Sequence, residues 1–240
     1  VVAERPQPPI NIGVFNPILL LSIYHGKNSR KVNRKEMGFT TLILDFDGVI
    51  RHWLVIDVHE KETLLGIEPG TLHKMAFQER YLLPAITGKI SHHQWMLEVC
   101  NEFHKRFNQV SVEQIHSIWK RAKWSIDDRL VPEIRAKYPE LNLVLASNAT
   151  NLLREDLKTA KLLDEFDSIL NSSELGVAKP DCRFYQEGLE KLHICPQQAI
   201  FVDDQGANVQ AAQNFGIRSF EFVSKVALYN CLNELIRVNV

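Results

Sequence analysis

Charge of one sign is what this 240-residue chain most clearly lacks: 28 Lys and Arg stand against 29 Asp and Glu, a formal charge of -1. Binding through counterion release needs a dense basic face, so nucleic acid is excluded as a principal ligand. Long apolar runs are missing too. The one candidate, residues 11–24 (NIGVFNPILLLSIY), is interrupted by Pro17 and falls short of the roughly 20 residues that a bilayer span requires. No membrane partner is therefore expected. A secretory signal would carry its positive charges ahead of the apolar run, whereas KNSRKVNRKE follows it, and a cytoplasmic location is expected. Cysteine is scarce. Cys100, Cys182, Cys195 and Cys231 form no CxxC pair and have no histidines at zinc spacing, so they read as reduced, mostly buried thiols.

Several motifs are also absent. There is no GxGxxG, HExxH or GxSxG, which removes the minimum equipment of nicotinamide enzymes, zinc proteases and serine hydrolases. Gly88-Lys89 resembles the end of a nucleotide-binding loop, but the first glycine of that motif is missing and Ile90 stands where Ser or Thr belongs. What remains is an ordinary globular composition, 45% hydrophobic and 24% charged.

The strongly patterned sequence begins just after Met37, so residues 1–37 are expected to be an extension outside the fold. Short apolar runs at 41–46 (TLILDF), 141–146 (LNLVLA) and 199–202 (AIFV) read as buried strands, each ending in small or acidic residues. Helical patterns lie between or after them at 151–163, 184–192 and 206–215, the last closed by Gly216, and the run 218–223 follows. Strand and helix alternate, which implies an α/β fold: a Rossmann-like parallel sheet with helices on both faces. From 57 to 130 the strand signal gives way to helical stripes such as Trp95, Val99, Phe103 and Phe107, then Ile115, Ile118, Trp119 and Ala122. The expected organisation is therefore an α/β core of 38–56 and 131–240, with an inserted α-helical unit at 57–130.

The chemistry sits where the strands end. In Asp45-Phe46-Asp47-Gly48, strand alternation would present both carboxylates on one side, and Gly48 would let a backbone N–H approach an anion. Ser147-Asn148-Ala149-Thr150 would open the next helix, either as an anion site or as a plain N-cap. Lys179 precedes Pro180 after a glycine-containing loop. Asp203-Asp204 ends an apolar run, where buried acids ask for a cation. In an open parallel sheet, ligands bind beyond the carboxyl ends of the strands, so these clusters are expected to converge.

Taken in order, DxDG, SNA, KP and DD closely resemble the haloacid dehalogenase superfamily, in particular its phosphatase branch with a helical cap after the first strand. The resemblance spans about 41–223. It implies that Asp45 is the nucleophile and a metal ligand, and that Asp47 is the general acid/base and lends the metal its backbone carbonyl. Asp203 and Asp204 would be further metal carboxylates. Ser147, with Gly48 and Asn148, would hold the phosphoryl oxygens, and Lys179 would neutralise the nucleophile and the transferring group. Hard oxygen ligands, few in number, suit Mg²⁺. The expected activity is hydrolysis of a small phosphomonoester by a monomer or small homo-oligomer, through an aspartyl-phosphate. The alternatives are a phosphomutase acting on a sugar phosphate and a non-catalytic binding protein on the same fold. His52 and Trp53, just after the nucleophile loop, are candidates to touch the leaving group or else to pack. His92 and His93 read as structural, with Ser91 as an N-cap.

Overall fold

The computed structural model describes residues 38–120 and 122–237. The run at 11–24 and the proposed extension 1–37 lie outside them. No helix of the described residues is long and apolar enough to cross a membrane.

The strands are β1 (Thr41–Leu44), β2 (Arg51–Leu54), β3 (Lys123–Ile126), β4 (Asn142–Ser147), β5 (Ser168–Asn171), β6 (Ala199–Asp203) and β7 (Arg218–Glu221). Five of them form a parallel sheet in the order β5-β4-β1-β6-β7. Side chains alternate across a strand, and the alternation builds two cores. Leu42, Leu44, Leu143, Leu145, Ile200 and Val202 pack one face against the helices Leu130–Lys137, Leu153–Thr159 and Lys225–Arg237. Ile43, Val144, Ala146 and Phe201 pack the other against Cys182–Leu192 and Gly206–Phe215. With both faces covered, the strands read as continuous apolar runs, which is why β1, β4 and β6 were visible in the sequence.

β1 lies centrally. Its register sets Leu44 level with Leu145 of β4 and Val202 of β6, so the residues that follow emerge together at one edge. The Asp45 N–H continues the ladder to the Val202 carbonyl at 2.9 Å. Gly216 caps its helix in the left-handed conformation, as expected.

Between β2 and β3 the chain forms the helices Ile56–Leu64, Thr71–Ala76, Glu79–Ile86, His92–Arg106 and Val112–Trp119. They enclose a core of their own, in which Trp95, Val99, Phe103, Ile115 and Ile118 are buried beside Val58, Leu72 and Met75. Ser91 and Ser111 start their helices with capping boxes completed by Gln94 and Gln114. Glu62 is fully buried, and its carboxylate accepts the N–H groups of Gly70 and Leu72 at 2.6 and 2.7 Å, which satisfies the start of the next helix. The insert meets the sheet unit closely. Gly88 lies in the left-handed region, and a Cβ there would run into the Ser173 carbonyl. The His92 N–H reaches Asn151 Oδ1 at 2.8 Å.

Four expectations need correction. Segment 57–130 is not purely helical, because β3 pairs antiparallel with β2 to make a ribbon at the root of the insert. Both strands are short and largely exposed, so neither left a hydrophobic period to read. β5 was missed for a similar reason, being a short strand at the sheet edge. The helix expected from 151 starts only at Leu153, with no side-chain cap, and ends at Thr159. Of the cysteines, only Cys100 is buried, while Cys182 is exposed and Cys195 and Cys231 are intermediate, all four unpaired.

Replacing Glu62 by Ala would leave one buried and one partly buried N–H without a charged acceptor. Urea unfolding is expected to show a loss of about 2–4 kcal/mol, with Glu62→Gln retaining part of it. A change within about 0.5 kcal/mol would refute the assigned role.

Candidate active site

Lys179 is the buried centre of the cluster. Its ammonium has three donors and the surroundings use all of them: Asp203 Oδ2 at 2.6 Å, Asp45 Oδ1 at 3.0 Å and the Ala146 carbonyl at 2.8 Å. Three strand ends supply these partners, since Asp45 follows β1, Ala146 lies in β4 and Asp203 closes β6. The side chain of Asn148 holds the lysine's peptide in place. Its Nδ2 donates to the Lys179 carbonyl and its Oδ1 accepts the Lys179 N–H, both at 2.8 Å.

Asp203 is fully buried and heavily braced. Oδ1 accepts the Gln205 N–H at 2.8 Å, and Asn208 Nδ2 lies 3.0 and 3.1 Å from the two oxygens. Asp45 receives the Phe46 N–H on Oδ1 at 2.7 Å. Ligand oxygens of Asp45, Asp203 and Asp204 all lie within 4.8 Å of one another, the first two residues buried and the third partly so. A like-charged pair near 4 Å costs roughly 4 kcal/mol at an effective dielectric near 20, so one ammonium leaves this trio under-compensated. The donors are all hard carboxylate oxygens, which fits a divalent cation of the magnesium type and does not fit a thiolate- or imidazole-seeking metal.

The same crowding moves the titrations. Burial pushes the Asp45 carboxyl up to about 7; Lys179 pulls against this and Asp203 adds to it. Burial alone would lower Lys179, yet Asp45 and Asp203 together hold it above its ordinary value. Asp204 is raised by burial, with Asp203 contributing.

Three expected roles change in detail. Asp45 and Asp47 do not present their carboxylates together, because β1 ends at Leu44 and the chain then turns through Gly48 at φ +80°. The Asp47 carboxylate instead meets Arg51 Nε at 2.7 Å and Nη2 at 2.9 Å, and Trp53 Nε1 at 2.7 Å. Gly48 offers the turn and not its amide, since its N–H is bonded to the Arg51 carbonyl at 2.8 Å. A Cβ on Gly48 would collide with the Asp204 carboxylate, so only glycine lets that acid come so near. Asn148 serves Lys179 with its amide and does not turn that group to an anion. Ser147, the last residue of β4, is buried opposite Asn171 of β5. Residues beyond it are braced by Ser172, whose Oγ accepts the Ala149 N–H at 3.0 Å, and by Asn171, whose amide donates to the Thr150 carbonyl at 3.0 Å. His92 lies at this loop, with Nδ1 3.3 Å from Thr150 Oγ1, and His52 is exposed on β2.

Sequence reasoning missed Asn208, Arg51 and Asp156. Asn208 sits in the first turn after the acid pair, a spacing that places it back over Asp203. Arg51 is a lone cation directly after the apolar Val49-Ile50, a signal that was available. Asp156, which accepts Arg51 Nη1 at 2.6 Å, had none.

Residues 42–222 match the family model of the haloacid dehalogenase-like hydrolases. Among curated proteins, the chain is 27% identical over 146 residues to mouse acyl-CoA dehydrogenase family member 10, covering 57% of this chain and 13% of that one. It spans 13%, 36% and 37% of the first curated relatives it matches. A HAD family enzyme of Bacteroides thetaiotaomicron, solved with magnesium and inorganic phosphate, is 22% identical with a TM-score of 0.61, over 77% of this chain and 94% of that one. A dehalogenase structure is 19% identical with a TM-score of 0.59, over 80% and 96%. At these identities the structural matches speak to the fold alone.

Unfolded, Asp45 releases its proton near 3.8, and folded near 7. The folded state therefore holds the extra proton between those values, and the stabilisation this brings is lost as pH rises from about 4 to about 7. In EDTA, urea unfolding of the native chain is expected to weaken relative to Asp45→Asn by up to about 1.4 kcal/mol per pH unit across that window. A gap that does not move with pH would contradict the assignment.

Proposed function

The chain belongs to the haloacid dehalogenase-like hydrolase family, and from that premise we propose that it is a magnesium-dependent phosphatase of small phosphomonoesters, acting through an aspartyl-phosphate at Asp45. One observation carries the reading: a buried ammonium shared by two carboxylates, with a third within 4.8 Å. Such a cluster is poised for a dianionic substrate that arrives with a divalent cation.

Asp45, Asp203 and Asp204 would hold Mg²⁺, with the Asp47 carbonyl. When bound, the ion supplies positive charge that relieves repulsion among the acids and the phosphate oxygens. Both hydrogen bonds to Asp45 fall on Oδ1, from Lys179 and the Phe46 N–H, which leaves Oδ2 to attack phosphorus. Lys179 orients the nucleophile and offsets its charge. Asp47 gives its proton to the departing alkoxide, then takes one from the water that opens the aspartyl-phosphate. Ser147, at the end of β4, would hold a phosphoryl oxygen. Asn148 and Gly48 act indirectly, by fixing Lys179 and the turn. The helical insert would close over the site as a cap and select the leaving group.

A dehalogenase has a different need. Halide leaves carbon without a proton, so neither Asp47 nor a trio of acids around a cation would serve that reaction. A mutase would use the same Asp45 and Asp47, and no observation favours it.

A panel of phosphomonoesters assayed with Mg²⁺ and with EDTA separates the possibilities. The expected result is phosphate release that depends on Mg²⁺ and falls by about 10³-fold or more in Asp45→Asn. Isomerised sugar phosphate would mark a mutase, no turnover a binding protein, and near-native rates in the variant would end the covalent mechanism.

A further inference from the structure

Asp47 stands apart from the acids around Lys179, and both its oxygens are claimed by β2. Arg51 forks onto it, Nε to Oδ1 at 2.7 Å and Nη2 to Oδ2 at 2.9 Å, while Trp53 Nε1 adds a second bond to Oδ1 at 2.7 Å. Residues two apart on a strand share a face, which is how Arg51 and Trp53 reach the same carboxylate. The guanidinium is itself immobilised. It lies 4.4 Å from the Phe46 ring centroid and 4.6 Å from that of Trp53, its third arm bonds Asp156 Oδ2 at 2.6 Å, and it is 5% exposed.

A plain structural ion pair would explain Arg51 between Asp47 and Asp156. It would not explain Trp53, which is 47% exposed yet directs its indole N–H to the Asp47 carboxylate. Two independent donors from one strand fix both the plane and the direction of the carboxyl group. A proton donor has to lie within about 3 Å of the atom it serves, so such fixing matters for proton transfer more than for stability.

We infer that Arg51 and Trp53 are positioning residues that aim the Asp47 carboxyl at the leaving-group oxygen, an inference that rests on the phosphatase reading above. In the first half-reaction an Asp45 oxygen forms its bond to phosphorus as the bond to the ester oxygen breaks, and the Asp47 proton passes to that oxygen. The products are the alcohol, the aspartyl-phosphate and an Asp47 carboxylate. Donors held against Asp47 bind this carboxylate more strongly than the acid, so they assist the transfer as it occurs.

The test exploits the leaving group. First-turnover rates would be measured for an alkyl ester, glycerol phosphate, whose alkoxide needs a proton, and for p-nitrophenyl phosphate, whose phenolate does not. For the alkyl ester, Arg51→Met is expected to slow the first turnover by about 100-fold and Trp53→Phe by about 10-fold, with both variants within about threefold of native on the aryl ester. Arg51→Lys, which keeps the charge without the fork, should stay impaired on the alkyl ester alone. Equal losses on both esters, or unchanged rates on both, would overturn the inference. If Arg51→Met fails to fold, Trp53→Phe decides, because its ring is half-exposed and phenylalanine keeps an aromatic face beside Arg51 while removing the N–H. A native enzyme inactive on both esters would instead overturn the phosphatase reading, and this inference with it.

Discussion

The shared ammonium of Lys179 is the interaction on which the rest of the site depends. It is buried with both of its carboxylate partners, Asp45 and Asp203. A buried charge is tolerable only when paired and hydrogen-bonded, and each of the three donors of this group has an acceptor. Removing the lysine would leave two acids facing each other in a dry environment. The fold meets this constraint by bringing three adjacent strands to one level, so that Asp45, Ala146 and Asp203 surround the same point.

Around that point the supporting groups are backbone amides and neutral carboxamides. Asn148 grips the lysine's peptide, Asn208 and the Gln205 N–H hold Asp203, and the Phe46 N–H holds Asp45. None adds net charge, so the balance between the acids and the single cation is preserved while their geometry is tightened. The excess of negative charge is thereby left for the divalent ion and the phosphate of the proposed reaction to meet.

The acids divide into two sets with different surroundings. Asp45 and Asp203 are almost fully buried, whereas the side chain of Asp47 is 37% exposed and tied to the ribbon of β2 and β3. That ribbon forms the root of the helical insert, so the group assigned to proton transfer is attached to the element that leads into the insert. Asp45, the nucleophile of the proposed mechanism, is attached to the sheet. Under the proposed reaction, the phosphoryl side and the leaving-group side would be divided between two structural elements.

Much of this was legible in the chain itself. Apolar runs ending in Asp, Ser or Asp-Asp identified β1, β4 and β6 and the residues at their ends, because a strand buried on both faces has to be apolar throughout and any charge at its tip stands out. The stripe of Trp95, Val99 and Phe103 was legible because one helix face has to be apolar wherever helices pack. Directions of side chains were not legible. That Asp47 turns to Arg51 and Trp53, that Asn148 faces Lys179 and that Gly48 spends its N–H on a turn follow from where the backbone bends after Leu44 and from partners as far away as Asp156. β2, β3 and β5 were hidden because short, exposed or edge strands owe their existence to a neighbour and carry no period of their own. Residue types and strand ends are local properties, written in the order of the amino acids. Which of two carboxylates two residues apart meets the buried lysine and which meets an arginine is decided only when distant segments close around them.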